Sequence, residues 1–267
     1  MGIEEYKRIL PEISEVNNNV EGYLTFREAK FLALVAACPT ARGVILEIGS
    51  FKGRSTIILC LGKSIHDQSQ LVSIDPLTSP SPTDPHLKVT PSPIQDFHMT
   101  LERYGVKDKV EFHQCLSHEM ARDWNRPIRF LWIDGDHTYK GTKLDFDNFS
   151  PYLADGAIVA LHDILIGYDG PIRVFMEDIL LSDNFCAAGL CGSIGWAQYR
   201  RKENAASYHK KQKSRLYKRL APLVPLYVYK DCHSGKLSHL KYRILRARVP
   251  HKGINPEDWI KRVKILY

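Results

Sequence analysis

Read from the N-terminus, the chain alternates short apolar runs with longer segments whose apolar residues recur every three or four positions, the pattern of strands and helices taking turns. The runs 44–48, 71–74, 110–114, 129–133 and 157–161 are rich in aliphatic and β-branched side chains, and most are continuous rather than alternating, as in strands covered on both faces of a parallel sheet. Helices are expected between them. Thr25 followed three residues later by Glu28 has the spacing of a capping box ahead of the apolar stretch 31–37. Residues 57–61, about 94–104 and 171–181 continue the series, and residues 1–20 read as a short helix interrupted by Pro11. Two last runs, 185–188 and 193–199, are joined by a glycine-containing turn and predict a closing antiparallel hairpin. The expected fold class is α/β: a doubly wound, mostly parallel sheet ending in a hairpin.

The stretch from Val44 to Thr56, VILEIGSFKGRST, organises this pattern. An apolar strand breaks at Gly49 and Gly53 and passes into a helix, so the backbone can approach a ligand while the free N–H groups of the helix start face it. The dinucleotide pattern G-x-G-x-x-G is replaced by E-x-G-x-x-x-G. A diphosphate beside Glu47 would be repelled, so the ligand expected carries a positive charge and hydroxyls. The next strand ends in Asp75, a little over twenty residues on, where a carboxylate can accept from both hydroxyls of a ribose.

These residues resemble class I S-adenosylmethionine-dependent methyltransferases. Glu47, Gly49 and Gly53 match the first motif and Asp75 the ribose-binding acid. Phe130–Gly141, FLWIDGDHTYKG, followed by Asp145 and by Leu153–Asp163, LADGAIVALHD, is similar to the bacterial branch that includes the macrocin-type sugar O-methyltransferases. The resemblance spans about residues 22–200. It implies a Rossmann-like methyltransferase sheet and S-adenosylmethionine as cofactor, held by Glu47, Gly49, Ser50, Gly53, Ser55, Asp75, Leu116, Ser117 and Asp134. Leu116 and Ser117 fall where the family touches adenine; Ser117 reads equally as the N-cap of a following helix. The resemblance also places residues 22–24 and the helix after them over the cofactor cleft.

Carboxylates at two neighbouring strand ends can converge on one hard divalent cation. Asp134 and Asp163 are the expected metal ligands, with His162 or Asp136 as a third and Mg2+ as the ion. A cation would acidify an acceptor hydroxyl, and His137, three residues past Asp134, is placed to act with it as the general base near neutral pH. Asp134-Gly135-Asp136-His137 also has the composition of a plain Asx turn and helix cap, and Lys143, Asp145, Asp147 and Asn148 read mostly as a solvated helix face. An Asn/Asp-Pro-Pro-aromatic turn, expected for methylation of bases, is absent from this position, which disfavours nucleic acid as the acceptor.

Composition changes the picture at one place. The chain of 267 residues carries a net charge of +7, but residues 201–267 hold eighteen Lys and Arg against four Asp and Glu, whereas residues 1–200 are net acidic. This divides the chain into an N-terminal helical cap (1–43), a cofactor-binding domain (44–200) and a basic, mainly helical extension (201–267). Within the extension, 208–220 and 237–249 read as amphipathic helices whose basic and apolar residues suit an anionic membrane surface, an acidic or lipid-linked glycan, or RNA; a solvated helical appendage that packs on the body or forms a homodimer is the alternative. The loop 76–93 carries six prolines and is expected to cover the acceptor site. The six cysteines are scattered and form no metal pattern, and neither a secretory signal nor a membrane span is evident, so a cytoplasmic protein, at most peripheral at the inner membrane face, is expected. The function expected is metal-assisted O-methylation of a small-molecule, sugar or glycan hydroxyl. Its rivals are methylation of a phenolic compound or RNA, and a cofactor-binding adaptor acting through the tail.

Overall fold

The computed structural model describes residues 3–65, 69–78, 93–201, 207–228 and 235–263. The proline-rich loop expected over the acceptor site lies, except for its two ends, outside the described residues. A single seven-stranded sheet forms the centre: β1 (Val44–Ile48), β2 (Leu71–Ile74), β3 (Val110–His113), β4 (Ile128–Ile133), β5 (Leu153–Leu161), β6 (Phe185–Cys191) and β7 (Ile194–Tyr199). Their order is β3-β2-β1-β4-β5-β7-β6. The first five strands pair in parallel, and β7 runs antiparallel to both β5 and β6. This is the Rossmann-like, doubly wound sheet with a closing hairpin. The chain builds outward from β1 through β2 to β3, then returns to lay β4 on the other side of β1. The β1/β4 boundary is therefore the switch point at which an open α/β sheet leaves a crevice beyond its carboxyl ends.

The helices, in chain order, are α1 (Ile3–Arg8), α2 (Leu10–Asn19), α3 (Phe26–Ala37), α4 (Arg54–Lys63), α5 (Pro93–Arg103), α6 (Ser117–Met120), α7 (Tyr139–Phe149), α8 (Asp169–Val174), α9 (Ser207–Leu220), α10 (Val224–Val228), α11 (Lys236–Ala247) and α12 (Pro256–Arg262). Pro11 lies in the first turn of α2, where its missing N–H costs no hydrogen bond. Thr25 and Glu28 form the capping box of α3 reciprocally. After α8 the helix continues as a π-helical turn, Phe175–Leu180.

Because β-strand side chains alternate between faces, each central strand feeds both layers. Ile45, Phe130, Trp132 and Ile158 join α2–α5 in one apolar cluster, while Leu46, Leu131, Val159 and Ile133 join Phe146, Phe149 and Phe175 in the other. Every position of β1, β2 and β4 is buried, which explains why these strands read as uninterrupted apolar runs.

The basic extension is packed against both layers. Leu216, Leu220, Leu223, Leu226 and Val249 enter the α7–α8 side of the core. Trp259 of α12, a helix with no counterpart in the sequence reading, enters the other side, with its ring 5.4 Å from Phe31 and 4.8 Å from Trp196, both edge-on. Among the described residues, no helix is long and apolar enough to cross a membrane.

Candidate active site

The carboxyl edge of the sheet concentrates unusual backbone. Gly49 (φ +87°) and Gly53 (φ +87°) bracket the turn after β1, and Phe51 (φ +48°), Leu77 (φ +48°) and Asp163 (φ +59°) adopt the left-handed conformation without being glycine. Strain of this kind persists only where surrounding structure holds it, and it clusters at functional sites. Gly49 is obligatory for a second reason. A Cβ there would lie 2.2 Å from the carbonyl oxygen of Asp134, so only glycine lets the β1 and β4 turns pass each other.

Asp75 closes this turn. Its Oδ2 accepts from the backbone N–H groups of Ser50 (2.7 Å) and Phe51 (2.9 Å) and from the Ser50 hydroxyl (3.3 Å), and its Oδ1 accepts from the N–H of Leu77 (2.7 Å). Arg54, one residue past Gly53, donates to the carbonyls of Val20 (2.6 Å) and Leu24 (3.0 Å), and Tyr23 faces Phe51 at 6.3 Å. The segment 20–24 thus lies beside the glycine turn.

Glu47 stands elsewhere than the charge argument assumed. It is fully buried on the α4 side of the sheet, where Oε2 accepts from Thr56 (2.6 Å) and Ser73 (2.8 Å) while Oε1 is buried without a partner. Burial pushes its carboxyl up to about 7 against the opposing pull of the Ser55, Thr56 and Ser73 hydroxyls. Near neutral pH it is therefore not a full negative charge facing the cleft.

Leu116 and Ser117 sit one strand further out. Ser117 is the first residue of α6, and its hydroxyl donates to Asp145 instead of capping the helix. Leu116 is 46% exposed, open to whatever occupies the edge. Asp145 departs from the solvated face read for α7: it is buried, and burial pushes its carboxyl up to about 7, against the Ser117 hydrogen bond.

The ends of β4 and β5 form the densest polar cluster. Asp134, His162 and Asp163 each offer a ligand atom, all within 4.8 Å of one another. His162 Nδ1 lies 3.0 Å from Asp134 Oδ1 and 3.1 Å from Asp163 Oδ1, while its Nε2 is 3.9 Å from Glu28 Oε2. His137 Nε2 lies 3.1 Å from Asp163 Oδ2 and 3.6 Å from Asp134 Oδ1, and its ring stacks on Tyr168 with centroids 4.5 Å apart. Burial works against charge on both imidazoles, but the carboxylates outweigh it, raising His137 to about 10 and His162 well above the ordinary histidine value. Asp136 stays outside this group. Its Oδ1 accepts from the N–H of Thr138 (2.8 Å), an Asx turn before the Thr138 cap of α7, so of the two third ligands expected, only His162 is in place.

The sequence pattern gives Glu28 a capping role alone, and the structure gives it a wider reach. Besides Thr25, its carboxylate accepts from the N–H (2.5 Å) and hydroxyl (2.7 Å) of Ser193 in the β6–β7 turn. Burial opposes its charge, but the His162, Thr25 and Ser193 contacts hold its carboxyl down at about 2. Its Thr-x-x-Glu spacing was legible in the sequence; its position behind His162 was not.

A shallow hollow of about 290 Å3 lined by Pro127, Tyr152, Asp155 and Arg201 lies around the starts of β4 and β5. It is at the opposite end of the strands from these groups, and its Asp155 is taken up by the Arg200 side chain (3.3 Å) and the Arg201 N–H (2.7 Å).

Residues 46–164 match a family described as a methyltransferase domain. Among solved structures, the chain is similar to an O-methyltransferase from Bacillus cereus in complex with SAH (19% identity, 74% of this chain and 92% of that one, TM-score 0.51). It is also similar to the O-methyltransferase TomG from Streptomyces achromogenes in complex with SAM (18%, 75% and 92%, TM-score 0.52). A third is CalS11, a TDP-rhamnose 3'-O-methyltransferase of calicheamicin biosynthesis (18%, 73% and 93%, TM-score 0.50). At these identities the structural likeness is one of fold. Residues 46–164 thus carry the match to the methyltransferase-domain family, and the fold is the one that these solved neighbours share.

Proposed function

We propose that the protein transfers a methyl group from S-adenosylmethionine to a hydroxyl, on a sugar or glycan acceptor, with a divalent cation at the ends of β4 and β5. One observation carries this reading: two carboxylates, Asp134 and Asp163, and two imidazoles, His162 and His137, converge at the switch point beside the Gly49 turn and Asp75. The SAM- and SAH-bound neighbours support the cofactor, and the TDP-rhamnose enzyme supports a sugar acceptor.

The residues fit the groups proposed. In the cofactor cleft, Gly49, Ser50 and Gly53 form the turn against which the amino-acid part lies, Asp75 serves the ribose, and Leu116 and Ser117 border the adenine. Ser55 acts from behind, on Glu47, and Asp134 links the cofactor turn to the metal cluster. Asp134 and Asp163 offer the oxygen donors that a hard cation takes, His162 would join them only with a nitrogen freed of its proton, and Asp163 Oδ1 is buried without an aligned hydrogen-bond donor. The cofactor supplies the methyl group on a sulfonium, from which it is lost as the acceptor oxygen attacks in line. With both carboxylates aimed at it, His137 keeps its proton at neutral pH, which departs from the base expected near neutrality. A cation on Asp134 and Asp163 would offset their charge, so that His137 can give up its proton, and would acidify the acceptor hydroxyl. His137 Nε2, 3.1 Å from Asp163 Oδ2, would then be the nitrogen to receive the acceptor proton, and Tyr168 fixes the ring plane.

The test is calorimetric titration with S-adenosylmethionine and separately with Mg2+, alongside methyl transfer to nucleotide sugars. Binding lost in Asp75→Ala and a Mg2+ heat lost in Asp134→Ala are expected. Failure of the wild-type protein to bind S-adenosylmethionine would overturn the reading, and transfer unaffected by chelator would remove the cation from it.

A further inference from the structure

The basic extension leaves one face that the methyltransferase site does not use. In α11 the inward side is formed by Tyr242, Leu245 and Arg246, with Val249 buried just beyond the helix end. The Tyr242 hydroxyl donates to the carbonyl of Leu165 (2.5 Å), and its ring packs against Tyr227. The helix is therefore fixed in rotation about its axis. Its opposite side carries Leu237 (84% exposed), Leu240 (52%) and Ile244 (48%), spaced i, i+3, i+7 and so aligned in one stripe.

Exposed Lys241 and Arg248 border one side of this stripe, and Arg243 borders the other. Among the described residues none of these three forms an ion pair. Three aligned aliphatic side chains facing water are costly, and a basic border selects what covers them. An acidic protein groove would meet the charges as well, but the helix is convex, and the excess of eighteen basic over four acidic residues in 201–267 suits an extended anionic plane more than one matching groove.

We propose that the outward face of α11 seats on an anionic lipid surface, with Leu237, Leu240 and Ile244 entering the headgroup boundary and Lys241, Arg243 and Arg248 pairing with lipid charge. Leu165, which α11 holds through Tyr242, lies two residues beyond Asp163. Seating this helix sets the end of β5 behind it, one helix diameter, ~10 Å, from the lipid surface.

The test is cosedimentation of the full chain with vesicles of phosphatidylcholine alone and of phosphatidylcholine with phosphatidylglycerol. Binding only to the anionic vesicles, weakened by salt, is expected. Both Leu237→Ser/Leu240→Ser/Ile244→Ser and Lys241→Glu/Arg243→Glu/Arg248→Glu should reduce it about tenfold or more. All six side chains are exposed, so thermal melting should be unchanged, and S-adenosylmethionine binding by each variant serves as a check of the fold that does not depend on lipid. Equal binding to neutral vesicles, full binding by either variant, or binding of RNA with none to vesicles would each overturn the proposal.

Discussion

Nδ1 of His162 stands 3.0 Å from Oδ1 of Asp134, joining the end of β5 to the end of β4 beside the switch point of the sheet. The bond makes two residues 28 positions apart one electrostatic unit. Asp134→Asn keeps the shape and removes the charge, so methyl transfer is expected to fall at least about a hundredfold. Asp136→Asn, whose Oδ1 can still accept from Thr138, should change activity by less than about threefold and stability by less than about 0.5 kcal/mol. Parallel activity assays and urea melts of the two variants check this; equal losses of activity would show that the cluster has no special part.

The close passage of Gly49 over Asp134 predicts a sharp contrast between two glycines of similar conformation. At Gly49 an added methyl meets backbone at 2.2 Å, whereas at Gly167 (φ +100°) it meets nothing within 4 Å. Gly49→Ala is expected to cost about 3 kcal/mol or more and to abolish cofactor binding. Gly167→Ala should cost only the backbone penalty, about 1–2 kcal/mol. Denaturant unfolding of both variants measures the difference.

Asp145 gives a pH dependence whose sign is set by its burial. The folded chain holds the Asp145 proton up to about 7, whereas an unfolded carboxyl loses it near about 4. The native state therefore binds more protons between these values, and stability falls as the pH rises from about 4 to about 7, then stays at the lower level. Asp145→Asn should match the wild type at about pH 4 and exceed it by a few kcal/mol at about pH 8. Urea unfolding across this range tests it; a constant difference between the two proteins would rule out the titration.

Trp259 predicts that the extension stabilises the body. Its ring is fully buried between Phe31 and Trp196, so Trp259→Ala should cost about 3–5 kcal/mol of global stability. Calorimetric unfolding should still show one transition at a lower temperature. An unchanged melting temperature would mean that α12 is a separate unit.

The local features of this protein were legible in its residues. Continuous apolar runs mark β1, β2 and β4 because both sheet faces are covered, and Gly49, Gly53 and the Thr25–Glu28 pair act within one turn of chain, where spacing alone decides what can meet. The acidic strand ends Asp134 and Asp163 could be picked out because a doubly wound sheet brings its carboxyl ends to one edge. What depended on the rotation of helices and the depth of packing was beyond the sequence. Asp145 looks solvated until α7 is seated with that side inward, and Glu47 looks exposed at a strand end until its side chain is assigned to the α4 face. Glu28 approaches His162 only because α3 and the β6–β7 turn pack together, and Trp259 finds its slot through contacts with residues more than sixty positions away. Short-range order follows from neighbours in the chain; burial, and with it the charge state of Glu47 and Asp145, is set by which distant segments exclude water from them, and the charge of His137 by the two carboxylates that the sheet edge brings to it.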